Sequence, residues 1–224
     1  MSVASAHLTP VGRLSQALGG AKVTFDPFRD TKVAWIRTGD ELKVRVSDHF
    51  LTAPDVVLDA LGRCIMRSIA GDDAVDKDFE LIDAWMMSSA YRESNREIYL
   101  GRSRLVDTES DTSKLYEAYD WLSDIGRVER IDDLKLFWAS VPEGGKPSRA
   151  LAEASTVMRV VSVNPELADP YKVDLLEDVL SDCIQRMSAA IAEGTVARDV
   201  THSLVLGGDI RCETSVDRDD KEGM

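Results

Sequence analysis

Residues 170–187 read Pro170-Tyr-Lys-Val-Asp-Leu-Leu-Glu-Asp-Val-Leu-Ser-Asp-Cys-Ile-Gln-Arg-Met187, and the interpretation of the whole chain depends on this stretch. At about 100° per residue, one side of a helix collects its apolar residues, which are Leu176, Leu180, Cys183 and Met187. The opposite side collects polar residues, which are Asp174, Asp178, Ser181 and Gln185. The spacing predicts a long amphipathic helix over about 171–193, whose polar side faces either water or a cleft.

The rest of the chain mixes two periodicities. Alternation of apolar and polar residues predicts strands at 23–25, 33–37, 42–46, 134–138 and 155–163. Helical spacing predicts helices at 53–71, 79–91 and 113–126, and Trp121 belongs to the apolar set of the last one. The predicted fold class is α+β, with a small antiparallel or mixed sheet and four or five helices.

We expect one domain with two short extensions. Residues 1–20 are small and polar and are assigned to an N-terminal arm, and residues 21–206 form the single domain. Its first part, residues 21–71, is a strand, a hairpin and a helix. We expect a short strand within residues 201–210. Residues 207–224 form a charged tail, and we expect its part from Glu213 to Met224 to be disordered.

Composition excludes several classes of protein. The net charge is −13, from 27 Lys and Arg against 40 Asp and Glu, which argues against nonspecific binding to nucleic acid. The three cysteines lie far apart and form no Cys-x-x-Cys pair, so they predict neither a disulfide framework nor a thiolate zinc site. We expect no membrane association and a cytoplasmic location, because the sequence has no membrane-spanning run and no signal peptide.

A further set of motifs stands in a recognisable order along the chain: Leu42-Lys-Val-Arg-Val-Ser47, Ala53-Pro54, Tyr99-Leu-Gly-Arg-Ser-Arg104, Leu136-Phe-Trp138 and Met158-Arg-Val-Val-Ser-Val-Asn164. This order resembles the SprT-like and YgjP-like zincin metallopeptidases. The resemblance implies a zincin-like fold, in which the helix after the last strand carries His-Glu-x-x-His. Two imidazoles four residues apart share one zinc ion, and the Glu activates the water bound to it.

The resemblance places the zinc motif on residues that lack its chemistry. The two histidines fall on Ser181 and Gln185, and the glutamate falls on Asp182. A hydroxyl and an amide are poor zinc ligands, so we expect neither catalytic zinc nor any other cofactor. The resemblance then implies a catalytically inactive metallopeptidase-like protein that acts as a binding or scaffold module for a protein or peptide partner.

Carboxylates on the same helix support a different interpretation. Asp174, Asp178 and Asp182 are spaced four apart, and His202 follows downstream. Oxygen ligands of this kind suit magnesium, manganese or calcium better than zinc. On this interpretation the protein is a metal-dependent hydrolase with an Asp-based site.

Four arginines form a local basic cluster, and they are Arg92, Arg96, Arg102 and Arg104. They either grip a carboxylate or phosphate, or pair with the surplus acids of the protein itself. A last interpretation makes the zincin resemblance accidental and the protein an unrelated soluble α+β domain.

Overall fold

The computed structural model describes residues 8–28, 31–72, 77–102, 106–140, 150–194, 198–200, 203–206 and 209–213. The chain divides into two compact units, which are Met1–Glu97 with Val196–Gly208, and Ile98–Thr195 with Asp209–Met224. The sequence-based expectation is a single domain over residues 21–206.

The described residues form an α+β fold. The helices are α1 (Pro10–Ala17), α2 (Asp55–Ile69), α3 (Lys77–Met86), α4 (Ser89–Arg102), α5 (Ser113–Asp124) and α6 (Val173–Glu193). The strands are β1 (Lys22–Asp26), β2 (Lys32–Thr38), β3 (Glu41–Ser47), β4 (Lys135–Trp138), β5 (Ala150–Ser155), β6 (Val160–Val163), β7 (Arg198–Val200), β8 (Ser203–Leu206) and β9 (Asp209–Glu213). Short 3₁₀ helices cover Asp48–Thr52, Pro165–Ala168 and Pro170–Lys172.

The first unit contains a five-stranded mixed sheet in the order β1-β3-β2-β8-β7. β1 runs parallel to β3, and the other neighbouring pairs are antiparallel. β2 and β3 are joined by a two-residue turn, where Gly39 has a φ of 61° that suits glycine. Val33, Val44 and Val46 are buried along one face of this sheet.

The second unit contains a four-stranded mixed sheet in the order β4-β6-β5-β9. β4 runs parallel to β6, whereas β5 is antiparallel to both β6 and β9. Its core joins the sheet to α5 and α6 through residues such as Leu122, Leu136, Val161, Leu180 and Ile184. Burial of these side chains supplies the main driving force for folding of this unit.

The two units repeat one architecture. Each runs through a helix, three strands, a 3₁₀ helix and a longer helix, and in each the first strand is parallel and the second antiparallel to the third. Phe50 and Leu167 are the buried anchors of the equivalent 3₁₀ helices. We conclude that the chain contains two copies of an α-β-β-β-α unit.

The repeat is visible in the sequences of α2 and α6. Aligned without a gap, they share Asp55 with Asp174, Asp59 with Asp178, Leu61 with Leu180, Cys64 with Cys183, Ile65 with Ile184 and Arg67 with Arg186. From Val57 and Leu176 to Ile65 and Ile184, the same alignment matches buried positions with buried positions, except that buried Leu58 aligns with half-buried Glu177. The long helix is therefore the second copy of a helix that also stands near the start of the chain.

The strands after α6 extend both sheets at equivalent edges. β8 pairs with β2, and β9 pairs with β5, the counterpart of β2 in the repeat. The strand expected within 201–210 is present as β8, and a second strand, β9, begins at Asp209 and continues to Glu213. The remaining tail residues lie outside the described part of the chain.

Three other expectations are corrected by the fold. The sheet is not single, because each copy of the repeat forms its own. The strand predicted at 155–163 is a hairpin, in which residues 156–159 turn the chain between β5 and β6 and Arg159 has a φ of 52°. The helix predicted at 79–91 is two helices, α3 and α4, with residues 87–88 between them.

No helix in the described ranges is both long enough and apolar enough to cross a membrane.

Candidate functional site

The residues at the zinc-motif positions are held by local contacts. Ser181 is only 3% exposed, so it belongs to the buried side of α6 and not to the polar side on which helical spacing placed it. The amide Nε2 of Gln185 donates to Ser181 Oγ at 3.3 Å and to the carbonyl oxygen of Arg127 at 3.0 Å. Gln185 thus links α6 to the residue just beyond α5.

The aspartates of α6 face cations. Asp178 accepts a hydrogen bond from Arg127 Nη2 at 2.6 Å, and Asp182 pairs with Arg186 at 3.0 Å one turn further along the helix. Asp174 is exposed on the first turn, where the positive end of the helix dipole stabilises a carboxylate. Within the described ranges no three His, Cys, Asp or Glu side chains are grouped to hold a metal ion, and His202 lies outside those ranges.

The repeat supplies a structural reason for one of these aspartates. In the first copy, Asp55 and Asp59 both pair with Arg13 of α1, at 2.7 Å and 2.6 Å. Asp59 is the counterpart of Asp178, so each copy pairs this aspartate of its long helix with an arginine from α1 or from the loop after α5.

The described arginines of the basic cluster differ in burial. Arg92 is buried and its Nη1 donates to the carbonyl oxygen of Met87 at 2.7 Å. Arg96 and Arg102 are half-buried on α4, and Arg104 lies outside the described residues. Arg92 therefore serves the backbone between α3 and α4.

A serine and a histidine meet inside the first unit. Ser47 Oγ lies 2.6 Å from His49 Nδ1, and both residues are fully buried. Since a catalytic pair must reach substrate, this contact is structural, and it fixes the start of the 3₁₀ helix after β3.

The second unit has a groove between α5 and the start of α6. We call this feature the α5–α6 groove. It has a volume of about 340 Å³, and its lining comprises Lys114, Glu117, Ala118, Trp121, Leu167, Ala168, Asp169, Pro170, Val173, Leu176 and Glu177. Leu167 and Leu176 are buried and form an apolar floor that belongs to the core of the unit.

Exposed apolar side chains flank this floor. Trp121 on α5 and Val173 on α6 line the groove and are each 46% exposed. Aromatic residues left half in water are enriched at sites of protein interaction, because they bury large area with little loss of conformational freedom. Glu117 and Glu177 stand on opposite walls, one on each helix.

Trp121 was expected to belong to the apolar set of its helix, but its side chain is half exposed. The buried stripe of α5 runs through Leu115, Tyr119 and Leu122, at spacings of four and three residues. Trp121 follows Leu115 by six positions, which on a helix turns it away from that stripe. The angular position of Trp121 on the helix therefore predicts its exposure, whereas its apolar character alone suggests burial.

No family model, curated protein or solved structure matches the chain.

Proposed function

We propose that the protein is a binding module without catalytic activity, and that it holds a segment of a partner protein in the α5–α6 groove. The observation that supports the proposal is the pair of half-exposed apolar walls, Trp121 and Val173, above a buried apolar floor. Covering such surface contributes about 25 cal/mol per Å² of apolar area removed from water. A groove of this size takes the anchoring side chains of a peptide segment.

The contacts of α6 favour a binding role over a catalytic one. Gln185, which the resemblance aligned with a zinc ligand, and Asp178, which belongs to the candidate Asp-based metal site, are both engaged with Arg127. The repeat gives Asp178 a counterpart, Asp59, with the same kind of partner. This pattern accounts for α6 without a lost zinc site. The zincin relationship itself stays a prediction.

A segment of a different protein suits the groove better than a second copy of this chain. Each copy carries a net charge of −13, so two copies repel one another at long range. A partner of lower or opposite charge meets no such barrier.

The experiment is an amide NMR titration of the full chain with a short synthetic helical peptide, which has Leu and Trp on one face and Ser and Gln elsewhere. We expect shifts at α5 and at the start of α6. Val173→Glu should weaken binding about tenfold or more, which corresponds to about 1.4 kcal/mol, because it charges an apolar wall. Leu175→Glu is the matched control, since Leu175 is similarly exposed on α6 but does not line the groove.

Three results would overturn the proposal. One is the absence of shifts at millimolar peptide. The other is equal weakening by both substitutions, which would place the peptide elsewhere on α6. A change in sedimentation with protein concentration that Val173→Glu abolishes would also overturn it, because the occupant would then be a second copy.

A further inference from the structure

We infer that the α5–α6 groove selects a partner segment in which a lysine or arginine lies beside the apolar anchor. This inference rests on the proposed function and adds the chemistry of the partner. The inference follows from the charges on the walls of the groove. Binding of an apolar anchor to the floor does not by itself require these charges.

Two carboxylates face the groove from opposite helices. Glu117 is exposed on α5, and Glu177 is half-buried on α6. Across the described part of the chain, no ion pair is formed by either of them. Other acids of the same unit are paired, as Asp120 is with Arg130 at 2.7 Å. The groove therefore retains negative charge that the protein does not neutralise itself.

The remaining charged residues of the lining leave this balance negative. Lys114 donates its Nζ to the carbonyl oxygen of Ala168 at 3.1 Å, so it is directed to the backbone at one end of the groove. Asp169 accepts the amide of Tyr171 at 3.0 Å and adds a third carboxylate. One ammonium thus stands against three carboxylates in the lining.

Trp121 adds an aromatic ring with which a lysine or arginine side chain of the partner can form a cation–π contact. Its exposed indole lies one turn beyond Glu117 on the same helix, where a cation can contact both the ring and the carboxylate. Lysine and arginine have aliphatic stems that cover apolar surface while their charged ends reach carboxylates at its rim. A glutamate or aspartate at the same place would be repelled, so the walls discriminate by sign.

The overall charge reinforces the local one. A chain with a net charge of −13 attracts basic segments over several ångströms and raises their association rate, and this attraction weakens as salt is added. Local charge should act mainly on the lifetime of the complex, whereas overall charge acts on its formation.

The test uses the full chain and three synthetic helical peptides that share one Leu/Trp face. The first has Lys and Arg beside the anchor, the second has Gln, and the third has Glu. We expect the basic peptide to bind at least about tenfold more tightly than the neutral one, and the acidic one more weakly. In the double variant Glu117→Gln with Glu177→Gln, the ratio of the affinities for the basic and the neutral peptide should fall to about one.

A charge-matched control separates the groove from the overall charge. Glu129→Gln with Asp132→Asn removes two exposed acids of the same unit that do not line the groove. It should keep the preference for the basic peptide. Equal loss in both double variants would overturn the inference, because net charge alone would then explain it. Equal binding of basic and neutral peptides would overturn it too, while leaving the proposed function standing. Failure of all three peptides to shift groove resonances would overturn the proposed function.

Discussion

Gly62 of α2 lies directly against Ala17 of α1, and a Cβ atom added at Gly62 would come within 2.7 Å of the Cβ of Ala17. The counterpart of Gly62 in α6 is Ser181, which is also small and buried. Both copies of the repeat therefore place a small residue on the buried side of the long helix. At Gly62 the reason is the close approach of two helices.

Gly62→Ala should destabilise the protein although alanine is the better helix former. Alanine gains about 1 kcal/mol of helix propensity, but the contact forces two backbones apart, and overpacking of this kind costs about 1–3 kcal/mol. We expect a net loss, measured by urea unfolding. The control is Gly101→Ala in α4, where nothing lies within 4 Å of an added Cβ and stability should not fall. Equal effects of the two substitutions would contradict the helix contact.

Asp59 should make stability depend on acid pH. Arg13 donates to both of its carboxylate oxygens, at 2.7 and 2.6 Å, and these hydrogen bonds hold the pKa of Asp59 below its usual range. A lowered folded pKa gives stability that is present above the unfolded value of about 3.9 and is lost as pH falls through the folded pKa. The side chain is partly exposed, so solvent reduces the contribution to about 1 kcal/mol or less.

The measurement compares wild type with Asp59→Asn in urea at several pH values. The difference should be full at pH 7 and should shrink below about pH 4. Asp178→Asn, which removes the equivalent aspartate of α6 with its one arginine contact, should have a smaller effect. A difference that persists unchanged at pH 2 would show that Asp59 acts by packing and not by charge.

Divalent cations should not stabilise the protein through Asp178. Its carboxylate is paired with Arg127, and Asp182 is paired with Arg186, so cation binding must first displace these partners. A site occupied at 100 times its dissociation constant would stabilise by about 2.7 kcal/mol. We expect the thermal midpoints of wild type and Asp178→Asn to respond alike to manganese, calcium and magnesium. A midpoint increase seen only in wild type would restore the hydrolase interpretation.

Hydrophobic periodicity correctly predicted whether most elements are helices or strands, because local sequence signals support it. α2 has Pro54 before its first residue and Asp55 in its first turn, and strict alternation marks β3. The repeat is hard to see in the sequence because the two copies share residues mainly in their long helices, while their hairpins have turns of different length. The split of residues 155–163 was missed because Thr156 to Met158 are as apolar or β-branched as the strands around them. Periodicity also cannot reveal which polar side chains find partners, as Ser181 and Gln185 do.

Tyr91 should couple stability to alkaline pH. Its hydroxyl lies 2.5 Å from Thr31 Oγ1, and burial raises its pKa well above 10 because the phenolate would lack solvation. With a raised folded pKa, the stabilising contribution is full below pH 10 and is lost as pH rises above the unfolded value towards the folded one. Tyr91→Phe should cost about 1 kcal/mol at pH 7 through the lost hydrogen bond. As pH rises above 10, the free energy of unfolding should fall less in Tyr91→Phe than in wild type, because the variant has no buried phenol to ionise. Tyr171→Phe, at a fully exposed position, should change neither quantity.

Ultraviolet absorbance of the phenolates gives an independent readout, since Tyr91 should ionise only as the protein unfolds. Ionisation of every tyrosine before unfolding would contradict the buried contact with Thr31.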